Sequence, residues 1–184
     1  KYISEYFAKR DFKQINELIN TGFVFYSILA TIIIVLSFFV TKPLLKFFSI
    51  PEAIQAEASF VFLVGIVLFN VSNALSPFNA ILEGLQRMDI SNKVNIVMAI
   101  PNVLGTIFFL ENGYGLPGLM VNNVINFGMM SLLKIIFAFR ILPEIRFDPF
   151  LFNGAMFKKL FEFGYKLQLS RLAYLVNFQT DKLL

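Results

Sequence analysis

LINTGFVFYSILATIIIVLSFFVT, residues 18–41, holds no charged side chain. At 1.5 Å per residue, a helix of this length crosses a hydrocarbon core of ~30 Å. A buried helix of a soluble protein seldom carries ~18 or more uncharged residues in a row. Working outward, the same pattern recurs at Ala58–Leu82, Val94–Leu110 and Asn112–Leu133. The last run opens with turn residues, so its helix is expected from about Pro117 to about Phe139. Composition agrees: 57% of residues are hydrophobic and 15% charged, where soluble domains carry about 25% charged residues. The mean hydropathy is +0.70, and the 24 phenylalanines are dispersed through apolar runs. The expected class is all-α, a polytopic transmembrane helical bundle.

Two segments do not fit a plain span. Phe157–Leu184 is amphipathic and carries Lys166, Arg171, Asp181 and Lys182. It reads either as an interfacial helix or as a spanning helix that faces a watery cavity. Lys1–Glu17 is a charged amphipathic stretch, expected to trail an earlier span. The chain opens on Lys1 and closes on an unfinished apolar pattern, so it is expected to be a piece of a longer protein. The connections are short and rich in Pro, Gly and Asn, which suits antiparallel neighbours.

The chain has no Cys and no His, which excludes disulfides, thiolate chemistry, imidazole bases and the usual zinc sites. It shows no P-loop, no GxSxG and no close carboxylate pair, so no enzyme, cofactor or metal site is expected. The pI near 9.3 could suggest nucleic acid. In a membrane protein, loop Lys and Arg are more simply a topology signal. Alternate loops hold ten basic residues on one side and two, Lys42 and Lys46, on the other. The positive-inside rule puts the first set in the cytoplasm, with Arg87, Lys93, Arg140, Lys158 and Lys159 among its anchors. The expected location is the cytoplasmic membrane. Between the second and third runs, ILEGLQRMDISNK (81–93) becomes a tight cytoplasmic turn. Gly84 is expected to end the incoming helix, and Ser91 or Asn92 to cap the outgoing one.

Each span also carries polar residues at helical spacing. The faces are Ser72, Ser76, Asn79 and Glu83; Asn95, Asn102 and Thr106; Asn123, Asn126 and Lys134; and Lys166, Ser170, Asn177 and Asp181. Such residues either bond packed helices together or line a hydrated cavity for a polar cargo. For Lys166, Arg171 and Asp181 the cavity is the preferred reading, because an ionisable group in a membrane is costly unless paired or wet. Lys166 could instead snorkel at a helix end. Pro77 and Pro101, with Gly105 close behind, would kink their helices as fixed packing bends or as hinges. The sequence does not choose between these.

PFNAILEGLQRMDISNKVNI (77–96) resembles the fourth-to-fifth span junction of the polysaccharide and lipid-linked oligosaccharide flippases. These belong to the multidrug/oligosaccharidyl-lipid/polysaccharide exporter superfamily. The resemblance rests on Gly84, Leu85, Gln86, Arg87 and Asn92. YISEYFAKRDFKQINELINTG (2–22) is similar to the second-to-third span junction of those proteins, and NGYGLPG to their fifth-to-sixth turn. LFEFGYKLQLSRLAYLVNFQTDKLL (160–184) is similar to their seventh span. Glu83 departs from the pattern, where a neutral Gln is common.

The resemblance implies a two-lobe fold of twelve to fourteen helices. Residues 1–142 would belong to the first lobe, 143–157 to a cytoplasmic inter-lobe linker and 158–184 to the first helix of the second lobe. It implies flipping of a lipid-linked oligosaccharide, on an undecaprenyl-pyrophosphate-type carrier, by alternating access. Partners would be that glycan lipid, membrane lipids and a coupling cation (H+ or Na+). Lys166 and Arg171 would bind phosphate oxygens. Ser170, Asn177, Asn123 and Asn126 would bind sugar hydroxyls, and Asp181 would bind a cation or pair with a base. Competing readings are a drug/cation antiporter of the same superfamily, a membrane scaffold of cell-envelope assembly and a glycan polymerase. An antiporter needs acids at mid-depth in the first lobe, and a polymerase a large external loop. The sequence shows neither.

Overall fold

The computed structural model describes residues 1–180, with side chains described through residue 175. The described residues form six helices: α1 (Tyr2–Ala8), α2 (Phe12–Phe47), α3 (Gln55–Gly84), α4 (Met88–Glu111), α5 (Gly115–Ile141) and α6 (Gly154–Thr180). Single 3-10 turns at Glu52–Ile54 and Pro149–Leu151 complete the described structure. Helices α2 to α5 are long and apolar enough to span a membrane, the turn at Glu52–Ile54 extending α3. α6 is not among those four. The Lys1–Glu17 stretch is not continuous: it breaks at Lys9–Asp11, and α2 starts at Phe12, where Asp11 accepts a hydrogen bond from the Gln14 amide at 3.1 Å. With 36 residues, α2 is roughly 54 Å long, well beyond the ~30 Å apolar layer. Its first three turns stand at the basic end of the bundle.

Four helices finish the same way. After α1, α2, α3 and α4 the chain turns through a residue with positive φ: Arg10 (55°), Ser49 (53°), Gln86 (57°) and Gly113 (74°). The following amide then closes a six-residue ring. Arg87 N–H, for example, donates to Leu82 O at 2.7 Å. This is the Schellman ending, which satisfies carbonyls the helix leaves open. α3 ends at Gly84, as expected, though the left-handed residue that closes the turn is Gln86. One expectation for the 81–93 turn is corrected. Ser91 and Asn92 do not cap α4; they lie inside it, and its N-cap position is Arg87, without a side-chain cap. Gly84 has a different reason to be glycine. A Cβ there would lie 2.8 Å from Ile3 Cβ and Cγ2.

The core sits at the basic end, not at the centre of the spans. Ile3, Ile15, Ile19, Ile81, Leu82, Leu142, Ile145 and Met156 pack into one cluster that draws α1, α2, α3, α5 and the start of α6 together. Ser4 Oγ donates to Gly84 O at 2.7 Å, tying α1 to the end of α3. On α1 the Lys9 ammonium, hydrogen-bonded at 2.8 Å, holds the Glu5 carboxyl below its ordinary range. Away from this cluster the spans present bare apolar faces, with Phe39 73% and Ile96 69% exposed. Lipid is the natural solvent for such faces, since each helix satisfies its own backbone groups. The protein is a multi-pass membrane protein.

Candidate functional site

α4 and α5 pack closely because one side chain fills the space where a glycine has none. A Cβ on Gly105 would fall onto Asn122 Oδ1 and within 2.8 Å of its Cγ. Asn122 is 3% exposed. Its amide faces three acceptors on α4: Asn102 O at 3.0 Å, Asn102 Oδ1 at 3.1 Å and Thr106 Oγ1 at 3.1 Å. One turn on, Asn126 donates to Asn122 O at 3.0 Å and Asn122 Oδ1 at 2.9 Å. The amides thus form a chain from α5 onto α4. Asn126 Oδ1 lies at its open end, buried and with no partner among the described residues. Buried polar atoms are normally paired, so an orphaned carbonyl asks for a donor.

Beside this chain runs a groove of about 700 Å³ between α3, α4 and α5. Asn95, Asn102, Asn123, Asn126 and Lys134 supply its polar lining, and Leu68, Met98, Met120, Phe127 and Met130 its apolar one. By helical rise, Asn95 and Lys134 both stand ~10 Å in from the basic end and Asn102 and Asn126 ~21–23 Å in, with Asn123 deeper still. The polar lining of the groove therefore spans ~17 Å, a little over half of the ~30 Å apolar layer. Lys134 is half-buried and has no ion-pair partner among the described residues. No carboxylate is among the groove's lining residues.

A second cavity, about 580 Å³, lies between α2, α3 and α6. Leu18, Phe25, Pro77, Ala80, Phe157, Leu160 and Phe161 make it mostly apolar; Thr21, Ser76 and Gln168, with the tyrosines Tyr26 and Tyr165, bring the polar groups. Pro77 stands where α2 and α3 cross, its Cγ 3.3 Å from where a Gly22 Cβ would be. α6 turns the face with Phe157, Leu160, Phe161, Gly164 and Gln168 toward this cleft. At 3.6 residues per turn, Lys166 and Ser170 fall on the opposite side, while Arg171 continues the cleft face beyond Gln168. All three are exposed. The side chain of Asn177, and Asp181 altogether, lie outside the described residues.

The anchoring lysines of α6 differ. Lys158 is exposed. Lys159 reaches back to α1, where its ammonium donates to Tyr6 Oη at 2.7 Å and lies 4.8 Å from the Tyr2 ring centroid. Arg87 pairs with Asp89 at 3.1 Å in the α3–α4 turn; Lys93 and Arg140 are exposed.

Asn123 and Asn126 thus share one groove with Asn95, Asn102 and Lys134, whereas Lys166, Ser170 and Arg171 stand on another helix and line neither cavity. Asn122 was missed by the sequence reading. A usable signal was present: Asn122 is one step off the Asn123 face but in helical register with Asn126, four residues on.

No curated protein and no solved structure matches the chain. The MatE family model matches residues 2–108, a stretch that takes in α1, α2, α3 and most of α4. The match covers more than half of the 184 residues, and it agrees with four apolar helices and no strand among the described residues. The chain belongs to the MatE family, and with it to the membrane transporters of the multidrug/oligosaccharidyl-lipid/polysaccharide exporter superfamily.

Proposed function

We propose that this transporter flips a lipid-linked oligosaccharide across the cytoplasmic membrane, on an undecaprenyl-pyrophosphate-type carrier. The observation that carries the reading is the groove chemistry: four asparagines and one lysine at membrane depth, with no carboxylate beside them. Amides donate to and accept from hydroxyls, and an unpaired ammonium attracts phosphate oxygens. A drug cation would find no counter-charge there. The apolar cleft between α2, α3 and α6 suits a hydrocarbon tail. In alternating access the groove would serve the head group and the cleft the tail. Lys166 and Ser170, turned away from α2, with Arg171, Asn177 and Asp181, would complete the head-group site from the second lobe. Asp181 could hold a coupling H+ or Na+.

The test is reconstitution in vesicles holding a glycan lipid of this type, with lectin access to the glycan as readout. Lys134→Gln should slow flipping about tenfold, and Lys166→Ala with Arg171→Ala at least as much, since a hydrogen bond to a charged group is worth about 1.5–3 kcal/mol. Asn126→Leu, which loses a bond to a neutral hydroxyl worth about 1 kcal/mol, should slow it about fivefold. No acceleration over protein-free vesicles would refute the reading. Extrusion of an organic cation dye by the same vesicles would favour the antiporter.

A further inference from the structure

The described chain between α5 and α6, residues 142–153, is held along the first three turns of α2. Asn16 and Asn20 do most of this. Each has two amide protons and uses them alike. One goes to the carbonyl four residues back in its own helix: Asn16 to Phe12 O at 3.0 Å, Asn20 to Asn16 O at 2.8 Å. The other goes to the linker: Asn16 to Glu144 O at 2.9 Å, Asn20 to Arg146 O at 2.8 Å. Each Oδ1 then accepts a linker amide, Arg146 N–H at 2.7 Å for Asn16 and Asp148 N–H at 2.9 Å for Asn20. Residues 144, 146 and 148 are thereby engaged as a β-strand engages a neighbour.

The register has a geometric cause. Four residues of helix rise ~6.0 Å, and two residues of extended chain rise ~6.6 Å. An Asn pair at i, i+4 therefore meets every second residue of an extended strand. The contact reads backbone, not side chains: Glu144 and Arg146 point their own side chains into solvent.

The grip continues to the start of α6. Thr21 Oγ1 accepts the Asn153 amide at 3.0 Å, and Glu17 Oε2 accepts Asn153 Nδ2 at 2.7 Å. Asn153 Oδ1 in turn accepts Ala155 N–H at 2.9 Å and Met156 N–H at 3.3 Å, which caps α6. Asn16, Glu17, Asn20 and Thr21 are all at least nine-tenths buried.

We infer that these four residues form a backbone-reading rail: they dock the linker irrespective of its side chains and so position α6 against α2. They are positioning residues, Thr21 also standing at the wall of the apolar cleft, and the inference is independent of what the transporter carries.

Two measurements on the membrane-embedded protein test it. One is amide exchange across 142–153. The other is disulfide formation between cysteines placed at Phe25 and Phe157, whose rings lie 5.1 Å apart; the 184 residues offer no competing thiol. Asn16→Leu with Asn20→Leu should speed exchange of the Arg146 and Asp148 amides at least about tenfold, the ratio for about 1.4 kcal/mol, and should lower disulfide yield. Arg146→Ala should leave both near wild type, while Arg146→Pro, which deletes the bonded N–H, should speed exchange of the Asp148 amide and lower disulfide yield as the double variant does. Unchanged exchange or unchanged disulfide yield in the double variant overturns the inference. So does an Arg146→Ala effect equal to that of Arg146→Pro. If the double variant fails to accumulate in the membrane, Thr21→Val and Thr21→Ser decide. Val should speed exchange of the Asn153 amide and Ser should restore it; equal exchange in both overturns the inference.

Discussion

The contact between Gly105 and Asn122 predicts a non-additive pair. In Gly105→Ala the new Cβ collides with the end of the Asn122 side chain. A free side chain would move aside cheaply, but this one is held. Its two amide protons serve the acceptors on α4, and its Oδ1 accepts from Asn126. Displacing it forfeits three hydrogen bonds, two between helices and one within α5; at about 0.6 kcal/mol per side-chain bond in a membrane, that is about 2 kcal/mol. Against that, alanine is favoured over glycine inside a helix by about 1 kcal/mol. Gly105→Ala should therefore destabilise by about 1 kcal/mol net. In an Asn122→Ala background the collision and the bonds are both gone, and Gly105→Ala should stabilise by up to about 1 kcal/mol. The coupling energy of the cycle is then about 2 kcal/mol, at the upper end for residues in contact. The assay is reversible unfolding in detergent micelles, followed by helical circular dichroism because the chain has no tryptophan. A coupling below about 0.5 kcal/mol, the level expected for independent sites, would refute the reasoning.

Two further predictions use the same assay. Gly84→Ala should cost about 1–3 kcal/mol by overpacking against Ile3, and Ile3→Ala in the same chain should recover part of the loss; a neutral Gly84→Ala would mean α1 is not seated on α3 as described. Gln86→Gly should stabilise by about 0.5–1 kcal/mol, because relief of a left-handed residue is worth about 1–2 kcal/mol and glycine's extra unfolded-state freedom returns about 0.4–1 kcal/mol. A loss of stability there would show that the Gln86 side chain carries more than the turn.

The spans were legible because a membrane helix writes itself in one variable, the length of an uncharged run. The four runs read from charge lie within α2, α3, α4 and the Asn112–Ile141 stretch, and only the boundaries moved. Those boundaries were hidden by non-glycine residues at three of the four Schellman endings: Arg10, Ser49 and Gln86 carry no sequence sign of positive φ. Pairing between helices was less legible. Helical period put Asn123, Asn126 and Lys134 on one face, but it could not show that Asn122 would be the buried residue, because that depends on Gly105 of another helix. The linker rail was out of reach altogether. Asn16 looked like part of a charged approach to the membrane and Asn20 like part of the first uncharged run, and the residues they bind are about 128 positions away.

The two amide clusters differ in how completely they are satisfied, and that difference bears on what each can do. In the rail every amide proton of Asn16 and Asn20 has an acceptor and each carbonyl has a donor. A saturated network of this kind is rigid, and it leaves nothing to offer a ligand. In the groove the chain of bonds ends on Asn126 Oδ1, which has none, beside a lysine without a counter-ion among the described residues. An unsatisfied buried acceptor costs about 1–3 kcal/mol, a cost recovered when a donor arrives. Asparagine therefore stands in two states in one chain: closed against its own backbone at the basic end of α2, and with an unfilled acceptor between α4 and α5, which a hydroxyl-bearing cargo would fill under the function proposed above.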